Sequence, residues 1–307
     1  MSGKLFLIAP TAPASKGRWA AACTLLSDYW TLTKPEVNFL ILITTFVGFY
    51  LGCADAGRQF SFLGLFNTLL GTLLVASGTA TLNQYIERKF DAQMRRTARR
   101  PAAAGRLEPN AVLTFGIILS VGGCIYLAIA ASLLASLLAL FTLLSYLFLY
   151  TPLKRKTPLC VLVGAFPGAM PPLIGWAAAS GRLTMEAWLL YAILFLWQFP
   201  HFMAIAWMYR EDYDRAGYFM LPKGHARLAL LILQTALPLF ALVPISMVES
   251  SAVHPAIFRG AGLLLGLGFL YFGLQFAFQR SRGSARQLLA ASIVYLPLLF
   301  ALRVTLR

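Results

Sequence analysis

An all-α polytopic membrane bundle is the fold class this chain predicts, and three observations predict it. Hydrophobic residues make up 59% of the 307 residues and charged residues 12%, with a mean hydropathy of +0.72. Apolar stretches recur along nearly the whole length, and nine of them approach or reach the roughly 20 residues needed to cross a hydrocarbon core. With the N-terminus placed in the cytoplasm, 21 of the 26 Lys and Arg residues fall on the cytoplasmic side and 5 on the other. That asymmetry is the positive-inside pattern of membrane helices. Helices follow because lipid-exposed backbone must satisfy its own hydrogen bonds.

Taken in chain order, residues 1–36 read as a cytoplasmic segment. Its first 18 residues are small, polar and mildly basic, without the long apolar core of a signal peptide. Residues 19–32 carry Trp19, Tyr29 and Trp30 among apolar neighbours, as expected of a helix lying at headgroup level. Thr33-Lys34-Pro35-Glu36 then breaks the chain, because Pro35 lacks an N–H and restricts the residue before it. Residues 37–307 form one transmembrane domain with spans 37–53, 63–83, 111–131, 133–150, 160–179, 186–207, 228–248, 257–278 and 287–303. The first and last are the shortest. Two cytoplasmic loops stand out by length, 84–110 and 208–227. Cys23, Cys53, Cys124 and Cys160 have neither CxxC nor metal-site spacing and are expected to pack as small apolar residues. The net charge of +15 is largely topological, so no nucleic-acid partner is needed to explain it.

The acids need a separate account, because Asp and Glu contribute little to topology. Eight of eleven fall on the cytoplasmic side, largely in two clusters. In the first, Asn83, Glu87 and Asp91 are spaced i, i+4, i+8, which sets two carboxylates and an amide on one helix face. Hard oxygens of this kind suit Mg²⁺, with a substrate phosphate supplying further ligands. Arg95, Arg96, Arg99 and Arg100 follow closely. The second cluster is Arg210-Glu211-Asp212-Tyr213-Asp214-Arg215. Arg grips phosphate oxygens bidentately, so two such clusters at facing helix ends form a clamp for a lipid diphosphate. The competing reading is a set of solvated ion pairs worth about 0–1 kcal/mol each.

Trp197-Gln198-Phe199-Pro200-His201-Phe202 lies inside the sixth span. Ionisable groups in spans face the bundle interior or a cavity, and Pro200 invites a kink. A neutral imidazole there suits a haem iron or a propionate, and a helix–helix hydrogen bond would satisfy it equally. The run from Gly164 to Trp176 holds three prolines and three glycines and is expected to be a broken helix. Either a ligand cavity or close small-residue packing accounts for it.

These residues resemble the UbiA superfamily of intramembrane prenyltransferases from about Thr31 onwards. Its first signature matches Asn83, Glu87 and Asp91, with Met94, Arg96, Thr97, Arg100 and Pro101 continuing the match. Glu87 stands where many relatives carry Asp, which lengthens the reach by one methylene. Tyr150-Thr151 with Leu153-Lys154-Arg155 and Thr157-Pro158, the run Pro171–Trp176, Trp197-Gln198 with Pro200-His201-Phe202, and Arg210-Glu211-Asp212-Tyr213 with Met220-Leu221-Pro222 are similar to the haem O synthase branch. Asp214 matches no position of that pattern, and Cys160 departs from an expected Asn.

The resemblance implies farnesyl transfer from farnesyl diphosphate to a vinyl group of protohaem IX, both as substrates. Asn83, Glu87, Asp91 and Asp212 would serve catalysis by holding Mg²⁺. Arg96, Arg100, Lys154 and Arg210 would bind diphosphate, and His201 with Gln198 the haem. The short N-terminal segment, not strongly Arg- and Ser-rich, favours a multi-pass protein of the inner (plasma) membrane, and the charge topology puts the active site toward the cytoplasm. A haem-modifying enzyme or terminal oxidase assembly would act downstream. Open alternatives are prenylation of an aromatic acid or quinone precursor, a secondary transporter and a haem-binding assembly factor.

Overall fold

The computed structural model describes residues 18–221, 225–248 and 253–306. Residues 1–17 of the N-terminal segment lie outside the described residues, as do Pro222, Lys223, Glu249 and Arg307 and the side chains of Arg18, His225 and Arg227.

Among the described residues there is no strand. The helices are α1 Arg18–Leu32, α2 Pro35–Asp55, α3 Phe62–Asp91, α4 Pro109–Ala130, α5 Leu133–Leu144, α6 Thr151–Leu153, α7 Cys160–Gly168, α8 Pro171–Ser180, α9 Met185–Met208, α10 Arg210–Arg215, α11 His225–Ser246, α12 Pro255–Gln279 and α13 Arg282–Thr305. A π-helical segment, Ser145–Tyr150, joins α5 to α6 and makes one continuous passage of Leu133–Leu153. Nine helical passages among the described residues are long and apolar enough to cross a membrane. Each matches an expected span, and the first and last reach 21 and 24 residues, longer than their apolar cores indicated. Polar residues extend the ends: α3 continues past its apolar stretch to Asp91, which places Asn83, Glu87 and Asp91 in regular helix.

The proline-rich passage is broken as expected. α7 stops at Gly168 and α8 begins at Pro171, because Pro171 offers no N–H to the preceding turn. α9, by contrast, stays one continuous helix through Pro200. The broken passage is also the centre of the bundle: 78% of an apolar 18-residue stretch within Cys160–Ser180 is buried, against 28% of one within Pro109–Ala130. Trp176 and Leu173 are fully enclosed there. Placing that break at the centre opens space beside it without exposing irregular backbone to lipid.

α2 and α8 cross at backbone contact. A Cβ on Gly48 would overlap the Pro172 carbonyl, and one on Gly175 the Thr45 carbonyl. Backbone on both sides cannot give way, so Gly48→Ala is expected to lower stability by about 1–3 kcal/mol. Gly122→Ala, which meets nothing within 4 Å, serves as the control. Thermal unfolding in detergent micelles decides it, and equal midpoints for the two variants would refute the close-packing account.

α1 lies across the end of the bundle where α3 finishes. Arg106 donates from Nε and Nη2 to the Asp28 carboxylate at 2.8–3.1 Å, and Gln84 Nε2 donates to the Leu32 carbonyl at 2.9 Å. Tyr29 packs edge-on against Phe115 at 4.9 Å. Trp19, Leu26 and Trp30 point away and are exposed, consistent with an amphipathic helix.

Candidate functional site

A cavity of about 450 Å³ opens between α2, α3, the Leu133–Leu153 passage, the α7–α8 break and α9. Its deep part is apolar or small: Val75, Ala76, Ala139 and Ile174. Its mouth carries Lys34, Asn83, Glu87, Asp91, Arg96, Arg100 and Lys154. The helical register of α3 therefore does what its sequence spacing demands, with one polar face turned into a single cavity.

Every rung of that ladder is engaged. Asp91 accepts from Arg100 Nη1 at 2.8 Å, and Thr97 Oγ1 donates to the Asp91 carbonyl at 2.9 Å. Glu87 Oε1 accepts from Lys154 Nζ at 2.8 Å and from the Tyr218 hydroxyl at 3.0 Å. Asn83 Oδ1 accepts from Lys34 Nζ at 3.4 Å, and its Nδ2 donates to Thr151 Oγ1 at 3.2 Å. Asn83, Glu87 and Asp91 are all buried.

Four cationic side chains face two carboxylates in this cavity, so the site is short of negative charge. Lys34 registers that imbalance. Burial first, and then repulsion by Arg100 and Lys154, bring its pKa down to about 7. Burial also opposes charge on Lys154, yet the adjacent Glu87 carboxylate prevails and holds it well above the ordinary lysine value. The Tyr218 phenol is pushed up by burial and by Glu87, so it stays a donor. Lys34 adopts φ 51°, ψ 62° directly before Pro35. A non-glycine residue in that region costs on the order of 1–3 kcal/mol and persists where the surroundings enforce it. Here the turn sends the lysine side chain back towards Asn83.

Of the expected site residues, Asn83, Glu87, Asp91, Arg96, Arg100, Lys154 and Gln198 meet at the cavity. Asp212, Arg210 and His201 are not among its lining residues. Asp212 sits at the rim, accepting from the Arg96 backbone N–H at 3.4 Å and from Arg215 Nη1 at 3.2 Å. Arg210 turns back onto its own chain, with its guanidinium 5.1 Å from the Trp207 ring and Nη1 donating to the Trp207 carbonyl. His201 lies on the neighbouring face of α9, where Nδ1 pairs with Ser292 Oγ of α13 at 2.8 Å and the ring stacks on Trp197 at 4.5 Å. The helix–helix hydrogen bond is thus the contact that His201 makes. The reason is rotation: Gln198, Phe202 and Ile205 share the cavity face of α9, and His201 falls a step to one side of it.

In the sequence Lys34 reads only as topological charge and nothing points to Tyr146 or Tyr218, yet all three line the cavity. Pro35, directly after Lys34, is the one local mark in the sequence. Tyr218 lies 131 residues from Glu87 in sequence, and nothing local marks it. A second recess of about 370 Å³, lined by Ile86, Phe90, Pro152, Arg155 and Lys156, abuts the same wall, with Glu87 and Tyr218 lining both spaces.

No group of three His, Cys, Asp or Glu side chains forms a metal cluster among the described residues. Two carboxylates and one amide oxygen line one cavity, which is a partial oxygen set that leaves positions for phosphate and water. Mg²⁺ is commonly bound in that way, and the residues fit it.

Known proteins place the chain. Residues 41–299 match the UbiA prenyltransferase family. A protein named protoheme IX farnesyltransferase from Solibacter usitatus is 47% identical over 284 residues, covering 90% of this chain and 97% of that protein. Digeranylgeranylglyceryl phosphate synthase shares the fold at a TM-score of 0.70 with 16% identity, covering 91% of this chain and 97% of that one. A UbiA homologue from Archaeoglobus fulgidus, solved with GPP and Mg²⁺, superposes at a TM-score of 0.63 with 14% identity over 90% of this chain and 99% of its own. With this fold, its nine apolar passages and these relatives, the chain is a multi-pass membrane prenyltransferase that belongs to the UbiA family, within its protoheme IX farnesyltransferase branch.

Proposed function

We propose that this protein transfers a farnesyl group from farnesyl diphosphate to a vinyl carbon of protohaem IX, giving haem O. One observation carries the reading. A single cavity joins a cation-rich mouth and an acid ladder to an apolar interior, which is the shape of a prenyl diphosphate, in a chain whose relatives bear that activity's name.

Lys34, Arg96, Arg100 and Lys154 are the residues that receive the diphosphate. Arg100 and Lys154 exchange their carboxylate partners for phosphate oxygens, and in doing so they release Asp91 and Glu87. Asn83, Glu87 and Asp91 would hold Mg²⁺, and the ion would supply charge neutralisation for the departing diphosphate. Asp212 steadies the Arg96 segment at the rim, and a direct role in holding the ion requires it to leave Arg215. The allylic cation left behind is shielded from bulk water by the apolar interior, in a cavity whose wall includes the Tyr146 and Tyr150 rings, both of which already lie under the Lys154 ammonium. The vinyl π bond attacks, and water captures the resulting cation. No protein nucleophile is required. The basic bias of the loops at this end of the bundle supports a cytoplasmic orientation for the site.

The test is a product assay. Purified protein in lipid receives protohaem, farnesyl diphosphate and Mg²⁺, and haem species are separated by mass. A farnesylated, hydrated haem that disappears with a chelator is the expected result. Prenylation of an added hydroxybenzoate without any haem product would move the function to an aromatic acceptor.

A further inference from the structure

Gln198 is buried in the sixth membrane passage, and its amide is fixed from both sides. Nε2 donates to the Ala165 carbonyl at 3.2 Å and to the Leu194 carbonyl at 3.1 Å. Two carbonyl oxygens require the donor end of the amide, so the group cannot be flipped. Oε1 is therefore turned the other way, towards Gly168, and has no hydrogen-bond partner among the described residues. Gly168 is part of the same arrangement, because a Cβ there would overlap Oε1. Both residues line the cavity. The break between α7 and α8 thus makes room for one oriented acceptor in a largely apolar chamber.

Its depth is informative. Asn83 lies eight residues before the end of α3, about 12 Å along the axis. Gln198 lies ten residues before the end of α9, about 15 Å along its axis. The segments after these two ends meet where the Arg96 N–H bonds Asp212, so the ends are near one level. Gln198 Oε1 consequently sits just below the acid ladder, where the carbon released from a diphosphate bound there would lie.

We propose that Gln198, with Gly168 keeping its space open, positions the water that ends the reaction; this rests on the haem-farnesylating reading above. Once the vinyl carbon has bonded to the farnesyl carbon, the positive charge sits on the carbon next to the macrocycle. A water donating one O–H to Oε1 presents a lone pair to that carbon. The new C–O bond gives an oxonium, and its proton passes to the released diphosphate, so the product is an alcohol. The competing course is loss of a proton from the adjacent carbon, which gives an alkene with one water fewer. An amide suits the task, since it accepts a hydrogen bond yet is too weak a base to deprotonate the cation itself. Gln198 is thereby a positioning residue acting through water.

The experiment is the partition between hydrated and dehydrated farnesyl-haem, read by mass, in wild type, Gln198→Met and Gly168→Ala, with isotopically labelled water marking the captured oxygen. Losing one oriented hydrogen bond is expected to raise the alkene-to-alcohol ratio about three- to tenfold in both variants. An unchanged ratio, with or without slower total turnover, would overturn the proposal and leave Gln198 a packing residue. Complete loss of farnesylation in both folded variants would also overturn it, because a group acting after C–C bond formation is not needed to form that bond. A wild-type protein that farnesylates no haem would remove the underlying reading, and the inference with it, and is recognised before any variant is made.

Discussion

Asp91→Asn is expected to reduce prenyl transfer by about 10²–10³-fold or more, the loss typical of removing one group aimed at transition-state charge. The substitution keeps the shape and one acceptor oxygen but removes the negative charge. Asp91 is the preferred test because its partner tolerates the change. The Arg100 side chain is 22% exposed, against 2% for Asp91, and finds water when the pair is lost. The fold is therefore expected to survive, with diphosphate binding affected less than turnover. Turnover at saturating farnesyl diphosphate, compared across Mg²⁺ concentrations, measures it. Wild-type turnover in Asp91→Asn would show that the ladder is an ion-pair network and nothing more.

Lys154→Met is expected to do two things at once. It removes a cation proposed to meet the diphosphate, and it leaves Glu87 buried without the ammonium at 2.8 Å. The side chains of this pair are only 11% and 7% exposed. Breaking a buried pair from one side costs about 3–5 kcal/mol, because the remaining charge loses its counter-ion in a poorly solvated place. Tyr218 still donates to Glu87 and offsets part of that. Removing both charges in Glu87→Gln/Lys154→Met is expected to restore much of the stability while activity stays lost. Unfolding midpoints of the four proteins in micelles give the coupling directly. A Lys154→Met protein as stable as wild type would mean that Glu87 takes water through the recess lined by Arg155 and Lys156, and that the pair is not dry.

The contrast between these two pairs shows what was legible in the sequence. The nine passages could be read from apolar length, and the face shared by Asn83, Glu87 and Asp91 from helical spacing alone, because both are periodicities of one segment. The break between Gly168 and Pro171 was local for the same reason, since proline lacks an N–H wherever it stands. Partners were not legible. Glu87 is matched by Lys154 and Tyr218, 67 and 131 positions away, and no periodicity relates them. His201 illustrates the limit from the other direction. A histidine in a span signals an interior partner, yet which interior it faces depends on the rotation of α9 against α13.

Composition, periodicity and motif are properties of short segments, and they suffice for the membrane bundle, its spans, the acid ladder and the family. Packing between distant segments settles that Lys34 returns to Asn83, that Asp212 stops at the rim, that Arg210 folds back onto Trp207, and that Gln198 reaches the cavity while His201 does not. The physical reason is that these outcomes depend on how helices rotate and cross. Those angles are set by close packing of side chains drawn from the whole chain.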